Sequence, residues 1–373
     1  MKGDDKMAHS DKKMLSIFLT NTCNLDCVYC YAHNDVNNIQ TIPREYAYWG
    51  IDYYFKEYIL PYKFDKRIRF YGPGEPTTQF ALMKELSEYA KKIWGKDTKI
   101  EIQTNGCFSD KICEWIENNA DNVWISCDGL PEIQNRNRPF YKTGLPSSNI
   151  MEKNAKRLSH SNKCVVGIRS TITELNVNEQ IENINYFNSL GVKYIWVDPV
   201  FPGVGDNVEK FVYLSMGNFV KKFLEATKYA ASLGMEYRTF FACNFDKCTN
   251  IHCRACYPVP HLTIDGYLSA CDMALFGNSD NNMRELIYGK WDKETGTVQY
   301  FPDRLKNIQK RCIENLAHCK GCIANQHCGG YCLGETLNET GSLFGHKALV
   351  CDAIRKLYKE LPDELKKYSY KHP

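Results

Sequence analysis

No apolar run in the 373-residue sequence approaches the length of a membrane span. The opening MKGDDKMAHSDKK has no apolar core of the kind that heads an export signal, and residues 1–13 read as a short solvated arm. Charge of one sign is missing too. A formal net charge of +3 supplies no field that would draw nucleic acid or anionic lipid. Internal repeats and low-complexity tracts are absent. With 43% hydrophobic and 24% charged residues, the composition is globular, and the length suits one large domain plus a smaller one.

What the chain has in excess is cysteine, eighteen in all. A disulfide scaffold is usually short and exported, whereas this chain is long and carries no export signal. Metal ligation in a reducing cytoplasm is the better reading.

From residue 15 to about 200, apolar strands alternate with helical patterns. The strands are LSIFLT (15–20), RIRFYG (67–72), KIEIQTNG (99–106), NVWISCDG (122–129), KCVVGIRSTIT (163–173) and VKYIWVDPV (192–200). Between them 44–59, 78–94, 109–119, 147–161 and 176–191 have helical spacing, with Ser109 or Asp110 placed to cap one and Gly191 to close another. A last helix is expected from about 216 to 233. Six such units predict parallel strands with right-handed crossovers and a site on the loops at the strand C-termini. Long periodic helices are scarce beyond about 236, and loops dominate.

The loop after the first strand, TNTCNLDCVYCYAH (20–33), holds Cys23, Cys27 and Cys30. A closed structural zinc site takes four ligands, so three thiolates leave a position open for chemistry or for a distant fourth ligand. The next loops carry GPGEP (72–76), QTNG (103–106) and SCDG (126–129).

This C-x3-C-x2-C loop, followed by GPGEP, resembles the radical S-adenosylmethionine (AdoMet) superfamily. The resemblance implies a [4Fe–4S] cluster on Cys23, Cys27 and Cys30, with AdoMet completing the coordination and cleaved reductively to a 5′-deoxyadenosyl radical. It also implies AdoMet contacts from Tyr29, Gly74, Glu75, Thr104, Asn105 and Ser126. Arg138, in NRNRP (135–139), or Arg169 would grip the AdoMet carboxylate. Pro73 departs from the family's Gly-Gly-Glu-Pro run.

Further on, Cys253, Cys256, Cys271, Cys319, Cys322, Cys328, Cys332 and Cys351 resemble the SPASM extension of radical enzymes that modify peptides and proteins. The resemblance implies two auxiliary [4Fe–4S] clusters, three in all. Cys319, Cys322, Cys328 and Cys351 would hold the distal one. Cys256, Cys271 and Cys332 would hold the nearer one, its fourth position taken by Cys253, Cys248 or Cys243 or left open for substrate. The implied architecture is an α/β, partial (β/α)6 TIM-like barrel over 14–235, a small cysteine-rich SPASM domain over 236–355 and a C-terminal tail over 356–373.

The expected activity is a radical modification of a peptide or protein side chain: a thioether or carbon crosslink, or an epimerisation. An alternative is anaerobic sulfatase maturation, with Asp272 as the base that helps oxidise Cys or Ser to formylglycine. A non-catalytic iron–sulfur electron carrier and a zinc-rich nucleic-acid binder are the readings from other classes. The carrier is disfavoured by the Gly-Glu-Pro loop and the binder by weak charge. Expected partners are a peptide or protein substrate and a one-electron reductant such as flavodoxin or ferredoxin. Only twenty-two residues precede Cys23, so leader recognition, where needed, is expected from a separate protein or from the barrel itself.

Overall fold

Every position of LSIF (Leu15–Phe18, β1) is buried, as expected of a parallel strand covered on both faces. The computed structural model describes residues 13–32, 38, 40–200, 214–278 and 281–367; most of the expected N-terminal arm and the end of the expected tail lie outside them. β1 pairs in parallel with β2 (Arg67–Tyr71), and the parallel series continues through β3 (Lys99–Thr104), β4 (Asn122–Ser126), β5 (Val165–Ile172) and β6 (Tyr194–Pro199).

Amphipathic helices cover the sheet. Phe80–Trp94 buries Leu82, Met83, Leu86 and Ala90, the i, i+1, i+4, i+8 stripe of a helix lying on a sheet. Asp110–Asn119, Ser148–Ser161, Gln180–Ser189 and Met216–Ser232 do the same further along. Ser109 stands at the N-cap of the first of these four, with its side chain making no capping bond.

This is the expected partial barrel, with two additions. A short seventh strand, β7 (Glu236–Arg238), pairs with β6 past residue 235. On the other edge the sheet continues into the second half of the chain. β8 (His261–Leu262) pairs in parallel with β1, and β9 (Tyr267–Ser269), β10 (Ile287–Asp292) and β11 (Thr297–Tyr300) follow antiparallel. The resulting order is β11-β10-β9-β8-β1-β2-β3-β4-β5-β6-β7.

Ser16 marks the seam, with Arg69 opposite it on one side and His261 on the other. Its hydroxyl accepts from Arg69 Nε at 3.1 Å and Arg254 Nη2 at 3.0 Å. Tyr46 donates its phenol to the Tyr267 carbonyl at 2.6 Å, tying the first barrel helix to β9. Downstream, the helix Ala348–Glu360 runs through the expected start of the tail. No helix among the described residues is long and apolar enough to cross a membrane.

Candidate active site

The loops at the C-terminal ends of β1 to β6 open onto a cavity of about 530 Å³. Cys27 and Cys30 line it from the β1 loop, while Cys253, Cys271 and Cys332 line it from the second half of the chain. All eighteen cysteines are free thiols.

Backbone and amide contacts fix the β1 loop. Asn24 donates to the Cys107 carbonyl at 2.7 Å, and Asn105 Nδ2 donates to Asn24 Oδ1 at 2.7 Å and reaches Cys23 Sγ at 3.8 Å. The GPGEP loop docks against it: Gly74 N donates to Thr20 O and Glu75 N to Thr22 O, both at 2.9 Å. A Cβ on Gly74 would sit 2.3 Å from the Thr22 carbonyl oxygen, so only glycine lets the two backbones approach this closely.

Glu75 is buried, and its carboxylate serves the loops themselves. Oε1 accepts from Thr77 N at 3.0 Å, Thr77 Oγ1 at 2.8 Å and Thr104 Oγ1 at 2.7 Å, and Oε2 accepts from Asn105 N at 2.7 Å. Burial raises its pKa, and these donors pull the other way. Every neighbour is a donor, so Glu75→Gln would turn an amide N–H toward another donor. The expected loss is about 1–3 kcal/mol of stability, read by chemical denaturation. A neutral result would show that the loop re-forms around the amide.

Tyr29 and Arg138 meet at a residue that the sequence reading left without a role. Asp128 is fully buried. It accepts from Arg138 Nη2 at 3.0 Å, Asn137 Nδ2 at 3.1 Å, Thr171 N at 3.1 Å and the Tyr29 hydroxyl. Arg138 stacks over the Tyr29 ring, 5.2 Å from its centre, and its Nη1 lies 3.9 Å from Cys27 Sγ. Burial pushes the Cys27 thiol up to about 12, with Arg138 opposing. Burial likewise raises Cys23. Protonated in isolation, these thiols release protons when a metal binds.

Ser126 lines the same cavity at the end of β4, and Arg169 lines it from β5. Arg169 is one-third exposed and faces Asp198, with Nη2–Oδ2 at 3.5 Å.

The far wall carries Asp272. Arg69 Nη2 pairs with it, and His261 Nε2 lies 2.9 Å from the same oxygen. Burial would raise its pKa, but Arg69, His261 and Arg254 outweigh burial and hold the carboxyl well below its usual range. Neither Arg69 nor His261 was legible as a site residue. Arg69 reads as one of two strand arginines, and β8 is only two residues long.

Several thiols of the second half of the chain influence one another's ionisation. Cys253 feels Cys256 and Cys271, Cys271 feels Cys332, and Cys332 feels Cys253. Separately, Cys319 feels Cys351 and Cys322, and Cys328 feels Cys319 and Cys351. The second quartet does not line the cavity. Of the three candidates for the open fourth position, Cys253 feels Cys256, Cys271 and also Cys243. Cys243 lies near both Cys328 and Cys332, its sulfur 3.6 Å from His252 Nε2, and Cys248 is exposed.

Among the described residues, no three His, Cys, Asp or Glu side chains close around a single metal ion. The donors of the first loop are purely thiol and number three, one fewer than a closed structural zinc site takes, which fits a [4Fe–4S] cluster with one iron left for another ligand.

The sequence family described as the Radical SAM superfamily matches residues 17–214. An uncharacterized protein of Methanocaldococcus jannaschii is 34% identical over 192 residues, 51% of this chain and 63% of the relative; the chain thus spans under two-thirds of that relative's length. A GTP 3′,8-cyclase of Clostridium perfringens is 26% identical over 308 residues, covering 73% of this chain and 87% of the cyclase. Among solved structures, native anSMEcpe with bound AdoMet and Kp18Cys peptide superposes with a TM-score of 0.71 at 18% identity, covering 94% of this chain and 98% of that one. Streptococcus suis SuiB bound to precursor peptide SuiA gives 0.66 at 17% identity, covering 92% and 76%. These two likenesses show a shared fold along nearly the whole chain, second half included. With its cysteine loop, its partial barrel and a family match over more than half its length, this chain belongs to the radical SAM superfamily of enzymes.

Proposed function

We propose that the protein abstracts a hydrogen atom from a peptide or protein side chain and so installs a post-translational modification. The observation that carries this reading is the shared cavity, walled on one side by Cys27 and Cys30 and on the other by Cys253, Cys271 and Cys332. The structural neighbours that hold peptides support the substrate class.

Cys23, Cys27 and Cys30 would hold one [4Fe–4S] cluster, which with bound AdoMet supplies a 5′-deoxyadenosyl radical. Cys253, Cys256, Cys271 and Cys332 would hold the inner auxiliary cluster, and Cys319, Cys322, Cys328 and Cys351 the outer. The chain's other residues bind and orient. Glu75 fixes the loops of β2 and β3 and so would shape the AdoMet site. Asp128 aims Arg138 along the Cys27 side of the cavity. Arg169 and Ser126 complete the AdoMet wall. A one-electron reductant such as flavodoxin or ferredoxin, and a separate leader-recognition protein where one is needed, are the proposed partners in the cytoplasm.

Asp272 decides between finer readings. Sulfatase maturation to formylglycine needs a base, and a carboxylate paired with Arg69 accepts a proton only after that pair opens. Crosslinking or epimerisation can use Asp272 as an electrostatic post instead, and its pairing with Arg69 and His261 supports that role.

The test is anaerobic incubation of the reconstituted enzyme with AdoMet and dithionite. 5′-Deoxyadenosine and methionine should form in about equal amounts. Absence of cleavage by protein with full iron would sink the proposal. Asp272→Asn should retain at least about half the cleavage rate, because a base acts after radical formation. Loss of cleavage would instead place Asp272 on the AdoMet side.

A further inference from the structure

Arg311 follows the helix Pro302–Gln309 and is only 1% exposed, the largest fully buried side chain of the described residues. Its Nη2 donates to the Gly330 carbonyl at 2.6 Å and reaches that of Tyr331 at 3.5 Å. Those two residues lie between Cys328 of the outer thiol quartet and Cys332 of the inner one. The backbone there is left-handed at both, with φ of 86° at Gly330 and 64° at Tyr331. A Cβ on Gly330 would stand 2.6 Å from Arg311 Nη1, so the glycine lets the loop lie directly on the guanidinium.

Nε and Nη1 of Arg311 have no hydrogen-bond partner among the described residues. Such groups rarely stay unsatisfied in a folded interior, and a buried guanidinium whose donors are idle is costly. The guanidinium thus lies against the short stretch that joins Cys328 to Cys332, one cysteine from each quartet. Arg311 does not line the cavity described above.

Four thiolates around an iron–sulfur core make a group with many sulfur acceptors, and its potential rises with hydrogen bonds and nearby positive charge. We propose that Arg311 is a fixed cation shared by the two auxiliary clusters, with Nε and Nη1 donating to their sulfurs and its charge raising their reduction potentials. This rests on the reading that the two quartets hold clusters. Its consequence is that both sites accept an electron more readily than clusters held by the same thiols alone.

The experiment is a redox titration of the holoenzyme followed by electron paramagnetic resonance, for wild type, Arg311→Gln and Arg311→Lys, with iron and sulfide counted in each. In Arg311→Gln the equilibrium constant for one-electron reduction of at least one auxiliary cluster should fall about tenfold, which is 59 mV. Arg311→Lys keeps the charge without the planar fork and should fall in between. The cluster on Cys23, Cys27 and Cys30 should titrate as in wild type. Full iron with wild-type midpoints in both variants would overturn the proposal while leaving the clusters standing. If Arg311→Gln loses iron, the lysine variant decides: a lowered midpoint supports the proposal and an unchanged one overturns it. Wild-type protein that binds only about four irons would defeat the cluster reading, and the role of Arg311 with it.

Discussion

Replacing Cys23, Cys27 and Cys30 together by alanine should lower bound iron from about twelve to about eight atoms per chain and abolish 5′-deoxyadenosine formation. The two effects separate because the thiols are segregated. The triplet sits on the loop after β1, while both quartets belong to residues 253–351. Removing three side chains from the first loop leaves the scaffold of the others in place. That loop is also held by contacts that do not involve sulfur, through Asn24 to Cys107 and through Thr20 and Thr22 to the GPGEP backbone. The variant should therefore stay folded, which its circular dichroism will show. Two results would count against the assignment: iron unchanged in the variant, or cleavage surviving at more than about one part in a thousand, the order of loss expected when an essential reacting group is removed. Stoichiometric zinc with little iron in the wild type would return the first loop to a structural role.

Asp128→Asn should cost about 3–5 kcal/mol of stability, the penalty for leaving a buried charge without its partner. Oδ1 accepts from Arg138 and Thr171 N, and Oδ2 accepts from Asn137 and the Tyr29 hydroxyl. All four neighbours donate, so whichever way an asparagine turns, its amide nitrogen faces two donors. Arg138, 8% exposed, keeps its charge and loses its counter-ion. The double variant Asp128→Asn/Arg138→Gln removes that stranded charge and should recover part of the loss. Equilibrium denaturation of the iron-free proteins checks this without interference from metal. A single-variant loss below about 1 kcal/mol, the size of an ordinary hydrogen bond, would mean that the cluster is solvated and that Asp128 does not anchor the site. AdoMet affinity should fall as well, because Arg138 and Tyr29 are both aimed by this carboxylate.

The parts of the site that could be read from sequence are those whose chemistry is written in short local patterns. Three cysteines within eight positions, a Gly-Glu-Pro turn and a C-x2-C-x5-C-x3-C run each place their donors through backbone geometry alone. The six parallel strands were legible for a similar reason, since runs such as NVWIS are apolar on both faces. Asp128 was not singled out, because its importance lies in four partners drawn from three separate segments: the β1 loop, the end of the helix Pro131–Asn137 and β5. Arg311 was hidden for the same cause: nothing around PDRLKNIQKR separates a buried arginine from a surface one. β8 and β9, two and three residues long, are too short to show a period of two. Their existence is decided by the edge of β1 against which they pair. The reach of Glu75 into its own loops was equally invisible, since a motif shows which residue is present and not where its side chain turns.

The placement of β1 between β2 and β8 has a consequence for how the chain is made. Leu15–Phe18 emerges early in synthesis, and its partner on one side, Arg67–Tyr71, follows soon after. Its partner on the other side, His261–Leu262, arrives only when most of the chain is out. Until then the first strand presents an apolar, unpaired edge of the kind that recruits strands from other molecules. Contacts between residues so far apart in sequence slow folding. A fragment ending near residue 240 would carry that open edge permanently. The strand from the second domain therefore closes an edge that the first cannot close with its own residues.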